Sequence, residues 1–188
     1  MQQDIEALQK EIREKQKELI NLRNQVPLEA VQDYYFKNKN GESINLDSLF
    51  QGGNELLVIH NMGESCRYCT MWADGLRGYS EIISDRMPWV LTSPDSHEDL
   101  KEFAESRNWN FNYLSFKGSS FAKDLGFETE KDGKTSYMPG VSALIKKDGK
   151  IYRASKDYFG PGDLYNPAWH FYDLFPKGAN NWQPKYSY

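Results

Sequence analysis

The side chains with the most reactive chemistry in this sequence are Cys66 and Cys69, the only two cysteines among its 188 residues. Arg67 and Tyr68 separate them, and a short loop connects them to the preceding apolar run Glu55–His60. At the start of a helix, backbone N–H groups and the positive end of the helix dipole face the first cysteine and favour its thiolate. The spacing therefore predicts a redox pair, in which Cys66 attacks a disulfide and Cys69 resolves the intermediate.

Four residues near this pair are candidates for binding substrate. Arg67 places a positive charge next to Cys66, and Tyr68 lies between the two cysteines. Trp72 either contacts a substrate or packs around the start of the helix. His60 titrates near neutrality and could move protons to or from the dithiol, or it could form a hydrogen bond to the backbone at the end of a strand.

Other uses of a cysteine pair fit the sequence less well. Attachment of a c-type haem requires a histidine directly after the second cysteine, where Thr70 stands. A zinc site would need His60 together with His97 or His170, and that spacing matches no common zinc signature. We therefore expect neither a metal nor another cofactor. A pair of unreactive buried thiols remains the alternative.

Composition excludes several classes of partner. The 23 basic and 27 acidic residues are interspersed and give a net charge of −4, so no positive field for nucleic acid is expected. Apolar runs such as Leu56–Ile59 are far shorter than the roughly 20 residues that span a bilayer, so we expect no membrane association. The beginning, Met-Gln-Gln-Asp, does not resemble a signal peptide, and a cytoplasmic location is the expectation.

Strands alternate with helices along residues 27–157 and end in an antiparallel pair, which predicts a mixed α/β sheet flanked by helices. The run Glu55–His60 is apolar throughout, as in a central strand that is covered on both faces. A helix is predicted from the cysteines to Ser84, where Gly75 and Gly78 weaken it. The other predicted strands are Tyr34–Lys37, Trp89–Thr92 and Phe111–Phe116, and a hairpin joins Val141–Ile145 to Lys150–Ala154. Two further helices are predicted, one that ends near Arg107 and one at Ser119–Leu125.

Residues 1–26 form a separate amphipathic helix that ends before Pro27. Its apolar residues recur at steps of three and four, with Lys15 interrupting the stripe; they are Ile5, Leu8, Ile12, Leu19, Leu22 and Val26. Such a stripe either packs on the main domain or pairs with a second subunit. The second possibility predicts a homodimer.

Residues 158–188 form an extension rich in aromatic residues, prolines and glycines. Ten aromatic rings without regular spacing indicate an ordered segment that packs on the domain rather than a disordered tail. Some of these rings could line a pocket beside the cysteines.

A strand, a Cys-x-x-Cys motif at a helix start, a β-α-β unit and a closing hairpin together resemble the thioredoxin fold. The chain also resembles, from Leu22 to Gly178, a bacterial thioredoxin-like family called domain of unknown function 899, a predicted dithiol–disulfide oxidoreductase. The resemblance implies that Cys66 and Cys69 are the redox pair, but it does not identify a substrate. The residues that carry it are Leu49-Phe50, Glu55–His60, Cys66–Asp74, Phe121–Gly126, Gly140–Ala143 and Tyr172–Gly178.

The sequence departs from thioredoxins and peroxiredoxins at two places. Thioredoxins carry a cis-proline about eight residues before the hairpin glycine; Val141 stands there, and Pro139 lies two residues earlier. We expect Gly140 and Val141 to form the substrate-binding edge. Gly63 occupies the threonine position of the peroxiredoxin Thr-x-x-Cys motif.

The residues thus predict a thiol–disulfide oxidoreductase that acts on a protein disulfide or on a small-molecule disulfide. A peroxiredoxin-like peroxide reductase and a non-catalytic binding module with a thioredoxin fold are the alternatives.

Overall fold

An eight-stranded mixed sheet forms the centre of the computed structural model, which describes residues 1–188. The strand order is β1-β10-β9-β4-β5-β6-β2-β3, and β7 pairs with β8 in a separate hairpin. The strands are β1 Glu29–Val31, β2 Tyr35–Lys37, β3 Ser43–Asn45, β4 Glu55–His60, β5 Trp89–Ser93, β6 Tyr113–Ser115, β7 Glu128–Lys131, β8 Lys134–Tyr137, β9 Gly140–Lys147 and β10 Lys150–Tyr158.

Strand β4 lies in the middle of the sheet, as its apolar sequence predicts. It pairs parallel with β5 and antiparallel with β9. Since side chains alternate between the two faces of a strand, Leu56 and Val58 enter one apolar cluster and Ile59 enters the other. The loop that carries the cysteines therefore leaves a rigid strand that is buried on both faces.

Six α-helices and one 3-10 helix surround the sheet. They are α1 Gln2–Arg23, α2 Arg67–Arg77, α3 Ser80–Arg86, α4 His97–Ser106, α5 Phe121–Asp124, α6 Ala168–Tyr172 and the 3-10 helix Asp47–Phe50. Helices α2 and α4 cover one face, where Ala73 and Leu100 pack with Ile59. The opposite face is covered by α5 and the 3-10 helix through Phe121 and Phe50.

The predicted single helix from the cysteines to Ser84 is two helices. Helix α2 ends at Gly78, and α3 begins at Ser80. The break turns Tyr79 outward, where 53% of its surface is exposed. In one continuous helix Tyr79 would lie seven residues after the buried Trp72, on the same face. Glycine in a helix interior costs about 1 kcal/mol relative to alanine, which favours a break at this position.

Other elements agree with the sequence within a few residues. Ser96 caps α4 by accepting a hydrogen bond from the Asp99 N–H at 3.2 Å. The hairpin β9–β10 is longer than predicted at both ends. The short strands β1 and β3 and the hairpin β7–β8 lack a clear periodic signal and were not predicted. None of the helices combines the length and apolar content needed to cross a membrane.

Helix α1 does not bury its apolar stripe on the rest of the chain. No residue of α1 is buried, and Leu8 and Leu22 are each more than half exposed. Its connection to the domain is an ion pair between Arg23 and Asp157 on β10. Packing of the stripe on the domain is therefore not observed.

Candidate active site

The two cysteines lie where β4 passes into α2, in the positions that the spacing predicts. Cys66 is the N-cap of α2, and its Sγ accepts a hydrogen bond from the Cys69 N–H at 3.2 Å. The preceding loop is held by the Asn61 carboxamide, which accepts the Gly63 N–H at 2.7 Å. The Gly63 carbonyl in turn accepts the Cys66 N–H at 3.1 Å. This chain of hydrogen bonds fixes Cys66 at the positive end of the helix.

The two thiols differ strongly in acidity. A hydrogen bond from the Cys69 thiol lowers the pKa of Cys66 to about 7, with help from the backbone N–H groups of Cys69 and Tyr68 and against the effect of burial. The same hydrogen bond, together with burial and the negative charge on Cys66, raises the pKa of Cys69. Cys66 is half-buried and Cys69 is buried. This environment favours a thiolate on Cys66 and a thiol on Cys69 at neutral pH.

A cavity of about 260 Å³ opens beside both sulfur atoms. Tyr68 and Trp72 of α2 form one wall. Phe159, Gly160 and Pro161, directly after β10, form a second wall that adjoins it, since the Phe159 ring stacks on Trp72 with their centroids 6.3 Å apart. Met62, whose Sδ lies 3.9 Å from the Cys66 Sγ, and Pro139 complete the lining.

The carboxylate of Asp163 holds the second wall in place. It accepts the indole N–H of Trp72 at 2.9 Å and the Gly160 N–H at 2.7 Å. It also accepts the backbone N–H groups of Tyr165 and Asn166. One side chain therefore joins α2 to the loop that follows β10, and it fixes the width of the cavity.

Part of the C-terminal extension packs behind this wall. Trp169 is buried, and its ring lies 5.1 Å from that of Trp72 and 6.1 Å from that of Tyr68, centroid to centroid. Further along, the Tyr186 hydroxyl donates to the carbonyl of Glu64, two residues before Cys66. Other aromatic rings of the extension, such as Phe171 and Phe175, stay largely exposed. The extension thus reaches the cavity from the C-terminal end of the chain.

Of the predicted site residues, the structure brings four together at the cavity. They are Cys66, Cys69, Tyr68 and Trp72. Arg67 is exposed, does not line the cavity, and donates to the Gln183 side chain at 3.3 Å. Its charge lies beside the site rather than in it.

The position of His60 does not support a role beside the dithiol. The ring is 2% exposed and stacks on Phe127 at 3.7 Å, on the face of the sheet opposite α2. Its Nε2 is hydrogen-bonded to the Ser142 hydroxyl at 2.9 Å. The alternative expectation, a hydrogen bond to the backbone, is therefore not observed either. Burial, with the nearby charges of Arg153 and Lys156, lowers the pKa of His60 to about 3. The strand alternation that buries Ile59 toward α2 necessarily turns His60 away.

Gly140 and Val141 also lie outside the cavity. Both are buried in β9, where Gly140 pairs with His60 and Val141 pairs with Ile59. A Cβ atom on Gly140 would lie 2.3 Å from the Asp157 carbonyl, so the glycine serves close strand packing. Pro139 lines the cavity in their place, and all peptide bonds are trans.

Sequence reasoning missed the rest of the lining. Met62 lies four residues before Cys66, but the loop gave no indication of the direction in which its side chain points. Phe159 to Pro161 belong to the aromatic extension, whose composition suggested a pocket wall without indicating which rings form it.

Comparison with solved structures places this architecture in the thioredoxin-like class. Peroxidoxin BcpB from Mycobacterium tuberculosis matches with a TM-score of 0.55 and 20% identity, over 66% of this chain and 80% of that one. A peroxiredoxin Q mutant from Xylella fastidiosa matches with a TM-score of 0.56 and 9% identity, over 68% and 85%. Reduced Prx3 from Vibrio vulnificus, solved with hydrogen peroxide, matches with a TM-score of 0.56 and 15% identity, over 74% and 91%.

The sequence itself belongs to the family described as bacterial protein of unknown function (DUF899), whose family model matches residues 2–188. The resemblance inferred from the motifs is thereby confirmed. A search of curated proteins finds no match.

Proposed function

We propose that this protein is a thiol–disulfide oxidoreductase in which Cys66 attacks and Cys69 resolves. The observation that carries the proposal is the asymmetry of the two thiols. Both line the cavity, but Cys66 is half-buried and accepts hydrogen bonds at a helix start, whereas Cys69 is buried and donates to Cys66. An accessible thiolate beside a protected thiol is the arrangement that two-step disulfide exchange requires.

The reaction proceeds in two exchanges. The Cys66 thiolate attacks one sulfur of a substrate disulfide, so that a Cys66–substrate S–S bond forms, the substrate S–S bond breaks, and the leaving thiolate takes a proton from solvent. The Cys69 sulfur then attacks the Cys66 sulfur, and the proton that Cys69 loses protonates the second leaving group. Two electrons pass from the dithiol to the substrate, and a thiol reductant, such as those of the cytoplasm, restores the dithiol.

A redox titration tests this proposal. The purified protein is equilibrated in glutathione redox buffers, quenched by alkylation and weighed by mass spectrometry. We expect a single two-electron Cys66–Cys69 couple between about −270 and −120 mV, the range of thioredoxin-like exchange proteins. Thiols that neither pair nor become alkylated would contradict the proposal and favour a non-catalytic binding module.

Peroxide reduction is a second candidate, favoured by the peroxiredoxin folds among the structural neighbours. Two local features weigh against it. No arginine lines the cavity to polarise a peroxide. A side chain at Gly63 would be strained at φ +103° and would lie 2.8 Å from the Asp95 carboxylate, so threonine does not fit there. NADPH-coupled consumption of hydrogen peroxide by the wild type, at a rate comparable to disulfide exchange, would favour this second candidate.

We also propose that α1 pairs with α1 of a second copy of the chain. Its exposed apolar stripe spans three heptads. The same stripe on a second copy of the chain would bury it in a coiled coil. Light scattering at micromolar concentration is expected to give about twice the monomer mass of 21.9 kDa. Ile12→Glu should give the monomer mass, whereas Lys17→Glu, on the opposite face of the helix, should not. A monomeric wild type would refute the pairing.

A further inference from the structure

Apart from the Cys66 thiolate itself, the lining of the cavity contains no charged side chain. We infer that the protein reduces a small disulfide bearing an uncharged apolar group next to the attacked sulfur. Two observations point to this substrate class: the apolar lining of the cavity and the acidic surroundings of the loop before Cys66. This inference rests on the oxidoreductase function proposed above.

The walls offer apolar contact and little else. Aromatic, proline and methionine side chains surround the two sulfur atoms, and the indole N–H of Trp72 is already donated to Asp163. A carboxylate or ammonium group placed here would lose its hydration without gaining a partner. The volume of about 260 Å³ lies just below the usual range for ligand pockets, roughly 300 to 1,000 Å³, so it suits one compact apolar group.

The loop before Cys66 adds a negative potential. The Glu64 N–H donates to the Asp95 carboxylate at 2.9 Å, and the Glu64 side chain lines a surface depression with Asp99 and Glu102. Burial and these three neighbouring carboxylates raise the pKa of Glu64, which shows that the negative charges act on one another. An anionic disulfide approaching Cys66 meets the same repulsion. Arg67, the cation adjacent in sequence, bonds Gln183 outside the cavity.

The shape of the site favours a small molecule over a folded protein. Tyr68 and Trp72 of α2 and Phe159 to Pro161 after β10 line the cavity next to Cys66, and the Trp72 and Phe159 rings stack with their centroids 6.3 Å apart. Asp163 ties the two walls together, so they do not separate freely. A disulfide in a folded protein carries main chain on both of its sides, which these walls obstruct, whereas a free disulfide can insert one end.

3,3′-Dithiodipropionate and its dimethyl ester form a matched pair of probes, because both carry the same short chain on sulfur and only the free diacid is charged. Reduced protein is mixed with each probe under single-turnover conditions, and formation of the Cys66–Cys69 disulfide is followed by acid quench, alkylation and mass. Each rate is divided by the rate of dithiothreitol with the same probe, which removes differences in intrinsic reactivity. Insulin serves as the protein disulfide and is treated identically.

We expect the normalised rate with the dimethyl ester to exceed the rates with the free diacid and with insulin by about tenfold. Phe159→Ala should remove roughly that preference, because it opens the apolar wall. Tyr68→Ala provides a second test of the wall should Phe159→Ala not fold. Phe171→Ala changes an exposed ring that does not line the cavity, and it should retain the preference.

Equal normalised rates for the diacid and its dimethyl ester, or a preference that survives loss of the wall, would overturn the inference about substrate class. A higher normalised rate with insulin would do the same and would assign the site to protein disulfides. If no probe oxidises the dithiol, or if Cys66→Ser reacts as fast as the wild type, it is the oxidoreductase function itself that fails.

Discussion

Cys66→Ser is expected to lower the rate of disulfide reduction by about 10³-fold or more, to the uncatalysed background, because the hydroxyl of serine does not replace a thiolate with a pKa of about 7. Cys69→Ser should still react once with a disulfide and then stop. Its Cys66 thiolate forms the mixed disulfide, and no second thiol is present to release it. Mass spectrometry of the quenched protein measures both outcomes, since the trapped adduct adds the mass of one substrate thiol.

The two variants control for each other, because each removes one sulfur atom from the same helix turn. Circular dichroism should show that both retain the fold, because the two cysteines are free thiols in this structure and serine is close to cysteine in size. Full activity in Cys66→Ser would contradict the assigned order of attack. So would an adduct that accumulates on Cys69 of the Cys66→Ser variant but not on Cys66 of the Cys69→Ser variant.

The second large effect expected is a loss of stability at acid pH caused by His60. In the unfolded chain the pKa of this histidine is about 6.5, whereas in the folded protein burial lowers it to about 3. Between these values the unfolded state binds a proton that the folded state does not, so the free energy of unfolding falls as pH falls below about 6.5. The contribution approaches 1.4 kcal/mol per pH unit, or about 2 kcal/mol between pH 6.5 and pH 4.5.

Urea unfolding at a series of pH values measures this slope. The double variant His60→Phe with Ser142→Ala keeps an aromatic ring against Phe127 and leaves no hydroxyl unpaired, and it should lack this part of the acid sensitivity. His97→Gln removes a partly exposed histidine in another part of the fold, and this variant should retain the acid sensitivity. An unchanged slope in the double variant would show that other groups cause the acid sensitivity.

Much of the fold follows from local sequence. The uniformly apolar run at β4 predicted a strand buried on both faces, and β4 lies in the middle of the sheet with paired strands on each side. The glycine-containing turn predicted the hairpin β9–β10. The cysteine spacing and the loop before it predicted Cys66 as the cap of a helix, because backbone N–H groups at a helix start are fixed by chain geometry alone.

Tertiary packing decided which residues share the site. His60 precedes Cys66 by only six residues, yet strand alternation and the packing of Phe127 place it on the other face of the sheet. Phe159 is 93 positions from Cys66, and nothing local to either residue encodes their meeting at one cavity. The Trp72–Asp163 hydrogen bond that fixes this wall joins side chains 91 positions apart.

The sequence by itself therefore determined the position of the cysteine pair at a helix start and the mixed α/β order of the elements, since each depends on residues within one or two turns. The cavity walls, the isolation of His60 and the exposure of the α1 stripe depend on contacts between distant segments. Those contacts are selected by how the whole chain buries its apolar surface, which no short stretch of sequence specifies.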